Sequence, residues 1–270
     1  MTKPGKVFIL IVTILSFFIG CAEVPLTQRK SLHLVPQSQL QTLSLQQYDK
    51  VLKESKLSKD QKKVNMVRRV GKRIAGAAEG FLRDSGLEHQ IRNYQWEFNL
   101  IEDDKMVNAW CMPGGKVAVY TGILPYTRDE TGLAVVVGHE VAHAIARHGN
   151  ERMSQGLLVS MGGIALAVAL REKPSSTQKL FMAAFGMGAS VGILLPYSRV
   201  HEYEADRIGL TLMARAGYDP RAAVPFWERM MKQGGARPPE FLSTHPATEA
   251  RIAQIRELIP EALPYYEKSR

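Results

Sequence analysis

The 270-residue chain is 45% hydrophobic, enough to fill the core of one domain or at most two. Its formal charge of +9 suits acidic lipid surfaces or acidic partners, but no arginine-rich block or alternation of basic and aromatic residues accompanies it, which argues against nucleic-acid binding. Only Cys21 and Cys111 occur, so neither a disulfide framework nor a four-cysteine zinc site can be built.

Lys3 and Lys6 precede an apolar run from Val7 to Ile19, the charged and apolar regions of a secretory signal. Small Gly20 before Cys21 has the pattern of a bacterial lipoprotein signal and predicts removal of residues 1–20, a lipid on Cys21 and a mature chain of 21–270. The alternative is an uncleaved anchor helix, although the run is short for a hydrocarbon core about 30 Å thick. Either way the body lies outside the cytoplasm. With lipidation it is periplasmic and held on a bacterial membrane, and Ala22 after the cysteine points to the outer membrane of a Gram-negative cell. Residues 21–57 are polar, with Pro25 and Pro36 set against a long early helix, and read as a tether that becomes ordered near Ser44-Leu45-Gln46-Gln47.

The main domain is expected over 58–270. From Asp60 to Phe81 the apolar residues Val64, Val67, Val70, Ile74, Ala77, Ala78 and Phe81 recur at three- and four-residue steps, an amphipathic helix whose extension ends in a turn at Gly86. Three short strands follow: Trp96–Ile101, Val107–Met112 and Lys116–Thr121. Asn108 and the Pro113-Gly114-Gly115 turn separate the last two. The third runs almost directly into the next helix, so its edge (Lys116, Val117, Ala118, Val119, Tyr120) is positioned to align an extended peptide by backbone bonding.

Thr127-Arg128-Asp129-Glu130 reads as a capping box, followed by apolar Leu133 to Val137, and predicts a helix over 128–148. Within it lies His139-Glu140-Val141-Ala142-His143. Residues four apart on a helix differ by about 40° around the axis, so His139 and His143 present two imidazoles to one ion while Glu140 can hold a water and take its proton. Histidines buried in so apolar a segment are costly unless something such as a metal binds them. His148 lies about 140° beyond His143 on a straight helix and is expected to point away.

Two apolar segments, Leu157–Leu170 and Leu180–Leu195, flank charged Arg171 to Lys179. Rich in small residues, they read as a buried or interfacial helical hairpin, with membrane insertion and a substrate-handling or partner-binding surface as the alternatives. The next helix, from His201 to Arg215, stops at Gly217, and Asp219-Pro220 opens another. Glu202 and Asp206 share one face of it, with Glu204 turned away. A site with two histidines from one helix needs a third ligand, for which Glu202 and His201 compete, and Asp206 can accept the outer N–H of a ligating histidine. Gly234, Gly235, Pro238 and Pro239 form a loop, and Pro246 suits the first position of a helix over 246–258, leaving His245 at its entrance.

His139-Glu140-x-x-His143 followed by Glu202-x-Glu204-Ala205-Asp206, with Asn108-Ala109-Trp110, Pro113-Gly114-Gly115, His148, Ser243-Thr244-His245-Pro246 and Arg251, resembles the M48 peptidase family over residues 60 to 258. The resemblance implies a mainly α (α+β), zincin-like metalloprotease domain with a small sheet beside the His-Glu helix. It implies one Zn2+ held by His139, His143 and Glu202, Glu140 as base, Asp206 behind a ligand, and strand 116–121 as the substrate-aligning edge. It also implies that His245 can take the metal's fourth position in a resting form. The expected activity is zinc-dependent cleavage of unfolded or misassembled cell-envelope proteins, in a form without a tetratricopeptide array. A non-enzymatic zinc-stabilised chaperone or assembly factor and a zinc amidase acting on cell-wall peptides are the other readings.

Overall fold

The computed structural model describes residues 21–189, 195–233 and 238–269; the predicted signal, the end of the second apolar segment, and Gly234 and Gly235 lie outside them. In residues 21–57 regular structure begins well before the expected Ser44-Leu45-Gln46-Gln47. Strands β1 (Cys21–Glu23) and β2 (Lys30–Leu32) pair antiparallel, and helix α1 (Gln37–Glu54) starts directly after Pro36. Leu40, Ser44 and Tyr48, four apart, are the buried stripe of this polar helix, too narrow to stand out in the composition. Helix α2 (Gln61–Asp84) is capped by Asp60, whose side chain accepts from the Lys62 and Lys63 amides, and it buries the predicted apolar face; Gly86 turns the chain at φ 72.

The three expected strands form β3 (Glu97–Ile101), β4 (Ala109–Met112) and β5 (Lys116–Tyr120), in the order β3-β5-β4. β5 therefore occupies the centre, parallel to β3 and antiparallel to β4, and residues Lys116 to Tyr120 do not form an open edge. The hairpin turn at Pro113-Gly114-Gly115 folds β4 back along one side of β5 while β3 takes the other. The outer side of β3 is met by residues 56–58, with the Ser58 amide donating to the Leu100 carbonyl at 2.9 Å. β4 keeps the free edge among the described strands, and it lies against the next long helix.

After the short helix α3 (Leu124–Thr127), α4 runs from Glu130 to Ile145. No Thr127 capping box forms: the Thr127 hydroxyl donates to the Leu124 carbonyl inside α3, Arg128 turns the chain at φ 70, and Asp129 caps α4 by accepting from the Gly132 amide at 2.8 Å. Residues Gly132 to Ile145 are all buried, because the sheet, α2 and a later helix cover α4 on every side. The helix also does not continue to His148. Arg147 takes a left-handed conformation, φ 58, and α5 (His148–Leu170) starts there on a new axis.

Helices α5 and α6 (Ser175–Ala189) form the expected hairpin, with the Phe185 ring against Gly162 and Gly163, but from Leu157 outward it is largely exposed. Helix α7 spans Leu195–Arg215 and ends at Gly217, φ 76. Asp219 caps a 3-10 turn that leads into α8 (Ala223–Met231). The last elements are α9 (Glu240–Thr244) and α10 (Glu249–Lys268). Thr248, not His245-Pro246, caps α10, so His245 sits at the end of α9.

α7 crosses α4 at a glycine pair. A Cβ on Gly138 would lie 3.0 Å from the Gly209 carbonyl oxygen, and one on Gly209 would lie 3.0 Å from the His139 backbone. Backbone contact at this crossing lets Glu202 and Asp206 of α7 reach the histidines of α4.

Candidate metal centre

His139 and His143 leave α4 on one face, Glu202 descends from α7, and His245 enters from the end of α9; all four are buried, and their ligand atoms lie within 4.8 Å of one another. The Nε2 atoms of His139 and His143 are 3.1 Å apart, and Glu202 oxygens lie 3.4 and 3.3 Å from them. His245 Nδ1 is 3.2 Å from His139 Nε2 and 3.0 Å from each Glu202 oxygen. Three imidazoles and a carboxylate converging on one point suit a tetrahedral zinc ion.

The surroundings decide protonation. Burial works against charge on His139, but Asp206, 3.0 Å from its Nδ1, and Glu202 outweigh it and raise its pKa to about 9; a bound ion would take the place of the Nε2 proton and leave the Nδ1–H to Asp206. Burial, only partly offset by Glu202, keeps His143 well below the ordinary histidine value, in the neutral form that ligates metals. Burial also opposes ionised Glu202 and Asp206. The polar surroundings supplied by His139, His143 and His245 hold Glu202 far below the usual carboxylate range, and Arg251 does the same for Asp206. Arg251 grips Asp206 through Nε and Nη2 at 2.7 and 2.8 Å, reaches Glu202 at 3.1 Å, and lies 3.7 Å over the Trp227 ring. Glu140 Oε1 is buried, 3.3 Å from His245 Nε2, with no hydrogen-bond partner among the described residues.

The sequence profile of Peptidase family M48 matches residues 58–259. The chain belongs to that family. It is 42% identical over 174 residues to the mitochondrial metalloendopeptidase OMA1 of Schizosaccharomyces pombe, covering 64% of this chain and 49% of that one. Against the mitochondrial metalloendopeptidase OMA1 of Saccharomyces cerevisiae, identity is 34% over 199 residues, 71% of this chain and 55% of the relative. The β-barrel assembly-enhancing protease of Escherichia coli is 31% identical over 183 residues, 64% and 36% of the two chains. The M48 chain thus spans about half the length of these relatives or less.

The structure brings His139, Glu140, His143, Glu202, Asp206 and His245 together. It sends His201 elsewhere, 2.9 Å from Glu151, so of the two competing candidates only Glu202 stands in the cluster of ligand atoms. Cys111 is half-buried on β4, and burial raises its thiol well above the ordinary value, away from a nucleophile.

His148 departs most from expectation. The break at Arg147 folds it back, fully buried, so that its Nδ1 lies 2.8 Å from His143 Nδ1 and its Nε2 lies 3.1 Å from Glu204. With the Nε2–H donated to Glu204, His148 Nδ1 accepts from His143 and leaves the His143 Nε2 lone pair facing the cluster. Glu204 does face away from the metal side of α7, but into this second network rather than solvent. There Arg29 bonds both Glu204 and Glu151, at 2.8 and 2.7 Å. No local pattern marks Arg29 or Glu151, because each acquires its partner from a distant part of the chain, and Arg251 stood in the family resemblance without a role. Glu204 and His148 stood in the motif without a signal of their bond.

Proposed function

We propose that this M48 chain is a zinc-dependent endopeptidase whose substrates are extended or unfolded segments of cell-envelope proteins. The observation that carries the reading is Glu140: a buried carboxylate oxygen without a hydrogen-bond partner among the described residues, beside a cluster of ligand atoms, is costly unless a water or substrate group satisfies it. His139, His143 and Glu202 would hold the ion. When bound, zinc supplies a Lewis acid that polarises a carbonyl and makes a water acidic. Glu140 takes the proton of the attacking water and later returns it to the departing amine. Asp206 and His148 keep the two imidazoles oriented, and Arg251 fixes Asp206.

The substrate edge moves from β5 to β4. The Tyr120 amide donates to the Asn108 carbonyl at 3.0 Å, and the alternation of an antiparallel pair then turns Trp110 and Met112 toward β5 and the backbone groups of Ala109 and Cys111 outward. An extended peptide pairing there runs along the strand that packs on α4.

The place of His245 within the cluster supports a gate, in which its ring would occupy the position a catalytic water needs. His245→Ala is expected to keep zinc on the other three ligands and to cleave peptides faster; slower cleavage at full zinc content would assign His245 to the oxyanion instead. Envelope location is supported by the signal-like sequence ending in Gly20-Cys21 and by the similarity to a relative named for β-barrel assembly. Mass spectrometry of the mature N-terminus is expected to find a lipid on Cys21, and an intact Met1 would overturn that part.

Glu140→Gln decides between a peptidase and a zinc-stabilised chaperone. The variant is expected to retain zinc and to lose roughly 10²–10⁴-fold in cleavage of an unfolded protein. A wild-type rate would remove the mechanism. Glu202→Gln is expected to lose zinc and activity together. Peptidoglycan peptides as parallel substrates test the amidase reading.

A further inference from the structure

The body of the protein leaves the α5–α6 hairpin uncovered. Met161, Ile164 and Val168 on α5 are 64%, 65% and 59% exposed, and Leu180 and Phe181 on α6 are 68% and 51% exposed. On a helical wheel the exposed positions of α5 between Leu157 and Ala169 span about 200°, more than half the circumference, and the remainder faces α6. No charged residue interrupts α5 between Arg152 and Arg171. His148–Leu170 is also long and apolar enough to cross a membrane, yet only 11% of its most apolar window is buried. A helix of this kind in water is an unmet demand for an apolar surrounding.

Three observations choose a lipid bilayer over a second copy of the chain. A protein partner covers one face, whereas here the apolar surface wraps around the outside of two helices. Charge brackets that surface: Arg152 stands near its root, and Arg171, Lys173 and Lys179 stand at its tip with Glu172 as the one acid, so both ends suit anionic headgroups. The third is the route of the N-terminus. The Leu34 amide donates to Ser154 Oγ, and Asn150 Nδ2 donates to the Val35 carbonyl, each at 2.8 Å; this sets β2 against the first turns of α5. β1 pairs with β2 from Cys21 onward, so the chain coming from the apolar sequence Val7–Ile19 joins the body beside the root of the hairpin.

We propose that the α5–α6 hairpin is a membrane-docking element, its outer face in hydrocarbon and its terminal Arg and Lys residues among anionic headgroups. The apolar stretch Leu157–Leu170 is about 21 Å long, less than the hydrocarbon thickness, which favours a shallow or tilted seat over an upright span. Because His148 opens α5, docking sets the metal centre at the root of a membrane-held helix, where segments emerging from the bilayer reach it first. The inference does not depend on the peptidase reading.

The test uses the full chain in vesicles of three parts phosphatidylethanolamine to one part phosphatidylglycerol. The photoreactive residue p-benzoyl-phenylalanine in place of Ile164 or Leu180 is expected to form adducts with phospholipid, and the same group in place of exposed Lys50 on α1 is not. Adducts only to a second copy of the chain, or no lipid adducts from either hairpin position, would overturn the proposal. Amide hydrogen exchange of the unmodified chain guards against misfolded variants. Exchange over 157–186 is expected to slow when vesicles are added, and unchanged exchange there overturns the docking as well.

Discussion

Both imidazoles from α4 carry a second partner on the side away from the ligand cluster. His139 has Asp206, itself held by Arg251, and His143 has His148, itself held by Glu204. Such partners set the tautomer and ring orientation that a metal needs, and their loss typically costs about 10–100-fold in metal affinity. His148→Phe keeps an aromatic ring and removes the bond, so it is expected to weaken zinc binding by roughly that factor, read by competition with a chelator. Unchanged affinity would reduce His148 to packing. Cys111→Ala, by contrast, is expected to leave cleavage of an unfolded protein unchanged, since the strand contributes backbone groups and the thiol has no role. A large loss of rate in that variant would reopen the nucleophile question.

At the scale of elements, the crossing of α4 and α7 positions the cluster. Gly138 and Gly209 allow the two backbones to touch, and this brings Glu202 and Asp206, one turn apart on the same face of α7, within reach of the two ring nitrogens of His139. Gly209→Ala adds a methyl where backbone atoms already stand 3.0 Å away. The helices must separate, at a cost of about 1–3 kcal/mol, and zinc affinity is expected to fall with stability because Glu202 and Asp206 move with α7. Thermal unfolding and metal content measured together check this; a drop in melting temperature at full zinc affinity would show that the cluster tolerates the shift.

Across the whole molecule, Arg29 ties the N-terminal hairpin to α5 and α7. Burial alone would raise the Glu151 carboxyl, but Arg29 and His201 outweigh it and hold it at about 2. A carboxylate depressed in the folded state stabilises the fold fully above its unfolded value near 4.5 and loses that contribution as pH falls toward 2. Stability is therefore expected to decline over that window. Arg29→Met leaves two buried acids without their cation, costs roughly 3 kcal/mol and opens the N-terminal hairpin to proteolysis ahead of the core. Equal protection in variant and wild type would show that the hairpin is held by packing alone.

Local chemistry made much of this protein legible from its residues. The period of α2, the three strands, the four-residue spacing of His139 and His143 and the glycine stops at Gly86 and Gly217 all depend on near neighbours, and each stands in the structure within a residue or two. What failed were inferences that extended a local pattern past the range of its forces. Thr127 had a nearer acceptor in α3, so Asp129 became the cap. His148 was placed on a straight helix, but a left-handed Arg147 turned it onto His143. Strand order depends on which hydrogen-bonding edges meet, a long-range choice to which the side-chain alternation of each strand is indifferent, so only the assembled sheet put β5 in the middle and left β4 as the edge. The same holds for Arg29, Glu151 and Arg251. A buried charge is tolerated only where opposite charge waits for it, and the meeting of residue 29 with residues 151 and 204, or 251 with 206, exists only once the helices have packed.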